Sequence, residues 1–301
     1  MATEIKVTIN GPVTLTLNDH SSGAPDYLLT NTPKLLEPPE PDQTSVQRQG
    51  EHGVRTGLSR YGPRTLAFEG EILGDSQADR KAKEDDLKRC LSLRALQSFA
   101  GEDGYALVGI EDEDGSLKQC YAKIASKLSI DVIEDDPARR GFSFVMLTSD
   151  SFLYSQTLRS AAGEETYQGT NFMVAQGVSP KVPFQLYQTT EVSATCENAG
   201  TADAPPVVTV TGPTTSPKVT NVTTGQFIVL TGLALADGET VAIDAGRRTI
   251  LKNDSTDLSA YWGSGSAWWV LAVGENEITL LDATGDALTA TCLIQWRDTY
   301  A

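Results

Sequence analysis

Short apolar runs with a period of two fill the second half of this chain and leave little room for anything but β-structure. Between Gly238 and Trp296, Val241 and Ile243 alternate with Ala242 and Asp244, and Thr249, Ile250 and Leu251 follow across an Ala245-Gly246 turn. Two β-rich runs joined by a Gly-containing connection predict a hairpin. Trp268 to Leu271 then reads as a strand leading into a Gly274-Glu275-Asn276 turn, where Gly and Asn accept positive φ. Ile278, Leu280 and the run from Leu288 to Trp296 supply two more strands. Upstream, Val182–Tyr187, Val192–Cys196, Val207–Thr211 and Phe227–Leu230 are equally short and bounded by turn formers. Such spacing without a helical period indicates an all-β sandwich or barrel.

The first half is mixed. Ile5, Val7 and Ile9, then Val13, Leu15 and Leu17, alternate about Asn10-Gly11-Pro12, a predicted hairpin. From Ser21 to Arg64 the chain is turn-rich, with a proline-rich stretch at Pro33–Pro41; only Tyr27–Leu29 and Leu35-Leu36 suggest short strands. An irregular stretch of this length is either a functional arm or a solvated loop. Leu66, Phe68 and Ile72 share one face of a strand from Arg64 to Leu73, and Asp75 or Ser76 caps a helix over about Gln77–Ser98. Its apolar stripe, Ala82, Leu87, Cys90, Leu91, Leu93 and Leu96, widens toward the C-terminus, and its mixed charges read as a solvated face. Tyr105–Ile110 pairs with Leu117–Ile124 across Asp112-Glu113-Asp114-Gly115. Leu128, Ile130 and Val132 alternate next, then Phe142, Phe144 and Met146, with Asp135-Asp136-Pro137 between them and Phe152 and Tyr154 ending a strand. The chain is therefore expected to be mainly β: an N-terminal α+β domain of antiparallel strands plus one helix at 1–158, then a β-sandwich at 159–301. A length of 301 residues suits two cores.

Charge excludes some partners. The net charge is −16, with 17 basic and 25 acidic side chains in residues 1–150 and 7 and 15 in residues 151–301. Neither half offers the basic footprint that displaces counterions, so no nucleic-acid sequence recognition is expected. No apolar run is long enough for a membrane span, and the N-terminal residues lack the apolar core of a secretion signal. Cys90, Cys120, Cys196 and Cys292 lie far apart and are expected as buried thiols, ahead of the alternative of a Cys196–Cys292 bridge.

Chemistry is scarce. The two histidines, His20 and His52, lie among turn residues, so no Ser-His-Asp or Cys-His arrangement has its base. Gly74-Asp75-Ser76 resembles the start of a serine esterase block but has no later histidine. The aspartate-rich turn fails as a calcium loop: Gly115 at the sixth position puts Ile110 first and Tyr121 twelfth. Zinc-ligand clusters, a Walker loop and a dinucleotide fingerprint are all missing from the sequence. Paired carboxylates of a glycosidase have no positive sign. The chain is thus not expected to be an enzyme: no catalytic, cofactor-binding or metal-ligating residue is assigned, and no cofactor. Tyr261, Trp262, Trp268 and Trp269 are either core or a stacking platform for a sugar ring. Adjacent on a strand, Trp268 and Trp269 face opposite sides, which favours core plus subunit contact over a sugar site.

The order GE-x-V-x-ID-x-x-R, WW-x-L-x-x-GEN and x-W-R-x-x-Y resembles the C-terminal half of phage distal tail proteins, the hub proteins at the tip of long non-contractile tails. The matching residues are Gly238, Glu239, Ile243, Asp244, Arg247, Trp268, Trp269, Leu271, Gly274, Asn276, Trp296, Arg297 and Tyr300. Asn198-Ala199-Gly200, Pro205, Pro206, Val208 and Val210 fit upstream, and the strand Arg64–Leu73 with its capped helix resembles the family's first domain. The resemblance implies a ring-forming N-terminal hub domain, a galectin-like C-terminal sandwich, and a hexameric homo-oligomer in the virion at the tail tip, assembled in the host cytoplasm. Its implied partners are other tail proteins: tail tube, tail tip hub, and receptor-binding or fibre proteins. The alternative is a carbohydrate-binding module that recognises a host cell-surface glycan. The Ser21–Arg64 segment would pack against a neighbouring subunit.

Overall fold

The computed structural model describes residues 5–21, 23–31, 37–47, 52, 54–100, 104–111, 115–133, 136–148, 150–167, 190–282 and 290–301. The chain divides into two compact units, Met1–Gln156 with Ala301 and Thr157–Tyr300. The strands anticipated at Leu35-Leu36 and Val182–Tyr187, the acidic residues Asp112–Asp114 and the first residues of the run from Leu288 lie outside the described residues.

The first unit opens with β1 (Lys6–Asn10) and β2 (Thr14–Leu17), then β3 (Tyr27–Leu29), β4 (Pro41–Gln47), β5 (Val54–Tyr61) and β6 (Thr65–Leu73). Two helices follow, α1 (Gln77–Cys90) and α2 (Leu93–Ala100), then β7 (Ala106–Glu111), β8 (Leu117–Ile124), β9 (Ser129–Val132), β10 (Arg139–Thr148) and β11 (Leu153–Ser155). The antiparallel sheet runs β2-β1-β7-β8-β10-β6-β3, with β11 on β8 and β9 on β10. Alternation sets its two faces. Val7 and Ile9, Leu66 and Phe68, Val108 and Ile110, and Phe142, Phe144 and Met146 are all buried on one side. There Phe68 and Phe144 stack at 4.9 Å, and Leu87, Cys90 and Leu96 of the helices complete the core.

The helical segment differs from the sequence reading. One helix was expected; the chain bends after Cys90, and Leu96 N bonds back to Ser92 O at 2.9 Å. Ser92 stands just before α2, where a short hydroxyl side chain favours a helix start, and the stripe of leucines turns there to reach the sheet. Ser76 caps α1, accepting from Asp79 N at 3.2 Å. The Ser21–Arg64 region also differs. Beyond the anticipated β3, it forms β4 and β5, an antiparallel pair of their own with a register shift between Gln43 and Ser45.

The second unit contains β12 (Arg159–Ala162), β13 (Glu164–Tyr167), β14 (Thr190–Asn198), β15 (Val207–Thr211), β16 (Thr214–Thr215), β17 (Pro217–Asn221) and β18 (Gln226–Val229). Then come β19 (Ala234–Leu235), β20 (Thr240–Asp244), β21 (Thr249–Lys252), β22 (Thr256–Asp257), a 3-10 turn at Ser259–Tyr261, β23 (Gly274–Asp282), β24 (Thr291–Trp296) and β25 (Thr299–Tyr300). One sheet runs β12-β24-β15-β20-β21-β22 and another β13-β14-β23-β17-β18. Val208, Val210, Val241, Ile243 and Ile294 from the first meet Val192, Cys196, Val219, Ile278 and Leu280 from the second in one buried cluster. This is a β-sandwich. All four cysteines are free and buried.

Candidate functional site

The motif that runs through the second unit turns out to be architecture. Val241–Asp244 and Thr249–Lys252 pair as the expected hairpin, closed by Asp244, whose carboxylate accepts from Arg247 N at 2.8 Å. The residue with positive φ in that turn is Arg248, at 56°, rather than Gly246. Glu239 binds Lys252 at 2.8 Å across the sheet. Trp296 is buried and donates its indole N–H to Glu197 O at 3.1 Å. Gly200 lies against β25: a Cβ there would stand 1.9 Å from the Thr299 carbonyl oxygen, so no other residue fits.

Trp268 to Leu271 is not a strand. Among the described residues its only ladder contact is an isolated bridge between Leu271 and Ala204. Three buried asparagines supply the partners that a neighbouring strand would otherwise give. Asn221 donates to Val270 O at 3.1 Å and Asn198 to Leu271 O at 3.3 Å. Asn276 both accepts from Ala272 N at 2.9 Å and donates to Ala272 O at 2.8 Å. Consecutive peptide groups of an irregular segment are thereby satisfied, as buried backbone requires. Gly274-Glu275-Asn276 accordingly is not a turn but the start of β23; Gly274 has positive φ, at 93°, and Asn276 does not. Asn221 was not singled out in the sequence, because a strand-end asparagine looks like any turn residue.

The pinned segment delivers Trp269 into the core at 2% exposure. Trp268 and Trp262 lie partly buried against that core with their rings 4.7 Å apart. Each indole thus has one face taken by the other. A flat, open platform for a sugar ring needs a free face, so this pair is better suited to packing than to stacking on a ligand.

In the first unit the notable feature is the β4–β5 hairpin and how it is fastened. Arg64 donates through Nε to Ser151 O at 2.7 Å, and through a terminal nitrogen to Glu37 O. Its backbone N–H reaches Thr148 Oγ1 at 2.9 Å, and Ser151 Oγ donates to Gly62 O at 2.8 Å. Gly62 N in turn donates to Glu40 O at 2.9 Å. Both legs of the hairpin are therefore clamped at their base to the end of β10. Beyond the base, Ser59, Arg60 and Tyr61 are exposed. The sheet face opposite the helices is also open: Tyr121 is 53% exposed and stands opposite Leu107, while Leu147, 39% exposed, stands opposite Lys123. His20 is bonded to Asn18, at 3.1 Å, in a surface turn.

No group of three or more His, Cys, Asp or Glu side chains suited to a metal occurs among the described residues. None of the described helices is long and apolar enough to cross a membrane. Burial pushes the Cys90, Cys120, Cys196 and Cys292 thiols up to about 12, so none is a nucleophile at neutral pH.

Residues 199–300 match the family described as the siphovirus-type tail component, C-terminal domain. The structure resembles the crystal structure of the SPP1 Dit protein, described as a paradigm of the hub adsorption apparatus in phages infecting Gram-positive bacteria. That match has a TM-score of 0.64 at 11% identity and covers 99% of each chain. A chain of the phage P2 baseplate in its activated conformation matches with a TM-score of 0.46 at 12% identity over 97% of each chain. No curated protein matches the sequence. The resemblance to phage distal tail proteins read from the sequence is borne out by the family match and by the shared fold.

Proposed function

We propose that this chain, which carries the C-terminal domain of siphovirus-type tail components, is a structural virion protein that forms a hexameric ring at the tail tip. The ring joins the tail tube to the host-recognition apparatus, and the chain performs no catalysis. The observation that carries this reading is the whole-chain match to SPP1 Dit, which spans both units and so goes beyond the family match at residues 199–300. The geometry of the first unit supports it. A hairpin clamped at its base and a sheet face that exposes Tyr121 and Leu147 are useful in an assembly. Cyclic rings use head-to-tail contacts between two different patches, and this unit offers several. The second unit would hang from the ring as the attachment point for receptor-binding or baseplate proteins.

Native mass spectrometry and negative-stain microscopy on the purified chain test the proposal. Six-fold rings are the expected result. A monomer at every concentration, with no rings on the grid, overturns it.

A further inference from the structure

A groove of about 820 Å³ lies in the first unit between α1 and β9. Arg80, Lys81 and Lys88 of α1 line one wall, and Lys127 and Arg140 the other. This concentration of positive charge stands out on a chain of net charge −16. On the α1 side two carboxylates serve three cations: Glu84 takes Arg80 at 2.9 Å, Lys81 at 3.7 Å and Lys88, and Asp85 takes Lys81 at 3.0 Å and Lys88 at 3.9 Å. Across the groove, neither Lys127 nor Arg140 has a carboxylate in ion-pair range among the described residues; Arg140 reaches only the Arg139 carbonyl, at 2.8 Å. Arg80 is 6% exposed, and its Nε has no hydrogen-bond partner among the described residues. A buried guanidinium donor of this kind is suited to an acceptor that a docked polypeptide brings.

The lining is not only basic. Leu91, Leu128, Ile130 and Val132 also face the groove, and Val132 is 69% exposed. Beside it, among the described residues, β9 pairs with β10 alone, which leaves its other edge open to a further strand. Such a surface fits a polypeptide that brings carboxylates and an apolar side chain together.

We infer that this groove docks a second copy of the chain, which presents the end of its β7–β8 hairpin. The inference rests on the ring reading above. That hairpin end carries Glu111, which among the described residues pairs only with Lys6, at 3.8 Å, and Leu117, which is 45% exposed. Strand register puts it at the far end of the sheet from the groove: β8 reaches β10 only at Ala122–Ile124, and β9 continues along β10 from there. A patch at one end and its complement at the other is what a head-to-tail ring requires. The opposite signs steer the encounter between chains that otherwise repel each other by net charge.

The experiment compares wild type, K127E/R140E and E111K by native mass spectrometry over a concentration series, with circular dichroism on each. K127A/R140A, which removes charge without reversing it, separates docking from any folding defect. Expected are native spectra throughout, wild-type rings that weaken as salt rises, and at least a tenfold higher concentration for half-assembly in each charge variant. K127E/R140E rings at the wild-type concentration overturn the groove as a docking site while leaving the ring reading intact. Normal assembly of E111K overturns the hairpin as its occupant. A monomeric wild type overturns the ring reading itself.

Discussion

Removing the Asn276 amide strips Ala272 of its partners on both backbone groups at once. Asn276→Ala should lower stability by about 1–3 kcal/mol, the cost of leaving such groups unpaired. Because Trp269 enters the core on the segment that Asn276 holds, the variant should also red-shift tryptophan emission before global unfolding. Denaturant titration followed by fluorescence checks both outcomes; an unchanged midpoint sinks the account of the segment. The cysteines give a pH signature. In the folded chain burial lifts all four thiols to about 12, against an ordinary value of 9.0. Below the lower value the thiols are neutral in both states and contribute nothing. Above it only the unfolded chain gives up these protons, so stability should fall as pH rises past about 9. Denaturation midpoints at a series of alkaline pH values measure this. A thiol reagent at neutral pH should label none of the four until the chain is unfolded. Labelling of native protein contradicts the burial.

Strands written in alternating residues were legible from the sequence because burial on one face of a sheet forces that pattern. The β20–β21 hairpin and the pairing of β7 with β8 appear at the registers the alternation implies. The elements that were not legible depend on contacts remote in sequence. The segment from Trp268 to Leu271 has strand composition, yet beside the bridge to Ala204 its partners are the side chains of Asn198 and Asn221, both remote in sequence. The helix break needs the sheet to pull the leucines round, and Ser92 looks like an ordinary helical residue until it does. Ser76→Ala tests the start of α1: losing the cap should cost about 1 kcal/mol, read by thermal denaturation. The β4–β5 hairpin was hidden by prolines and by a mixed polar pattern. Pro41, Asp42, Gly57, Ser59, Arg60 and Tyr61 are exposed, and the clamp at Arg64 and Ser151 lies outside the hairpin. Replacing residues 41–61 by a short Gly-Ser linker should therefore leave the circular dichroism of the rest of the sheet intact. If the hairpin grips a neighbour, the same variant should fail to form rings; rings at the wild-type concentration deny it that role.

At the scale of the whole molecule, the chain divides into two compact units, each with its own sheets. The second unit's buried cluster runs from Val192 to Trp296 and includes side chains from both of its large sheets. A core drawn from one contiguous stretch should fold without the other. The fragment 157–301 is therefore expected to be a folded β-protein, and to stay monomeric, because its acidic excess disfavours self-association. The first unit contains the groove, the clamped hairpin and the open sheet face, so the fragment 1–156 should fold and retain assembly. Circular dichroism and analytical sedimentation of both fragments decide the matter. An unfolded 1–156 fragment shows that its sheet needs the rest of the chain. Rings formed by 157–301 alone move the assembly surfaces into the sandwich and reverse the roles given to the two units. Rings from 1–156 with a folded, monomeric 157–301 place assembly in the first unit and leave the sandwich free to bind other tail proteins.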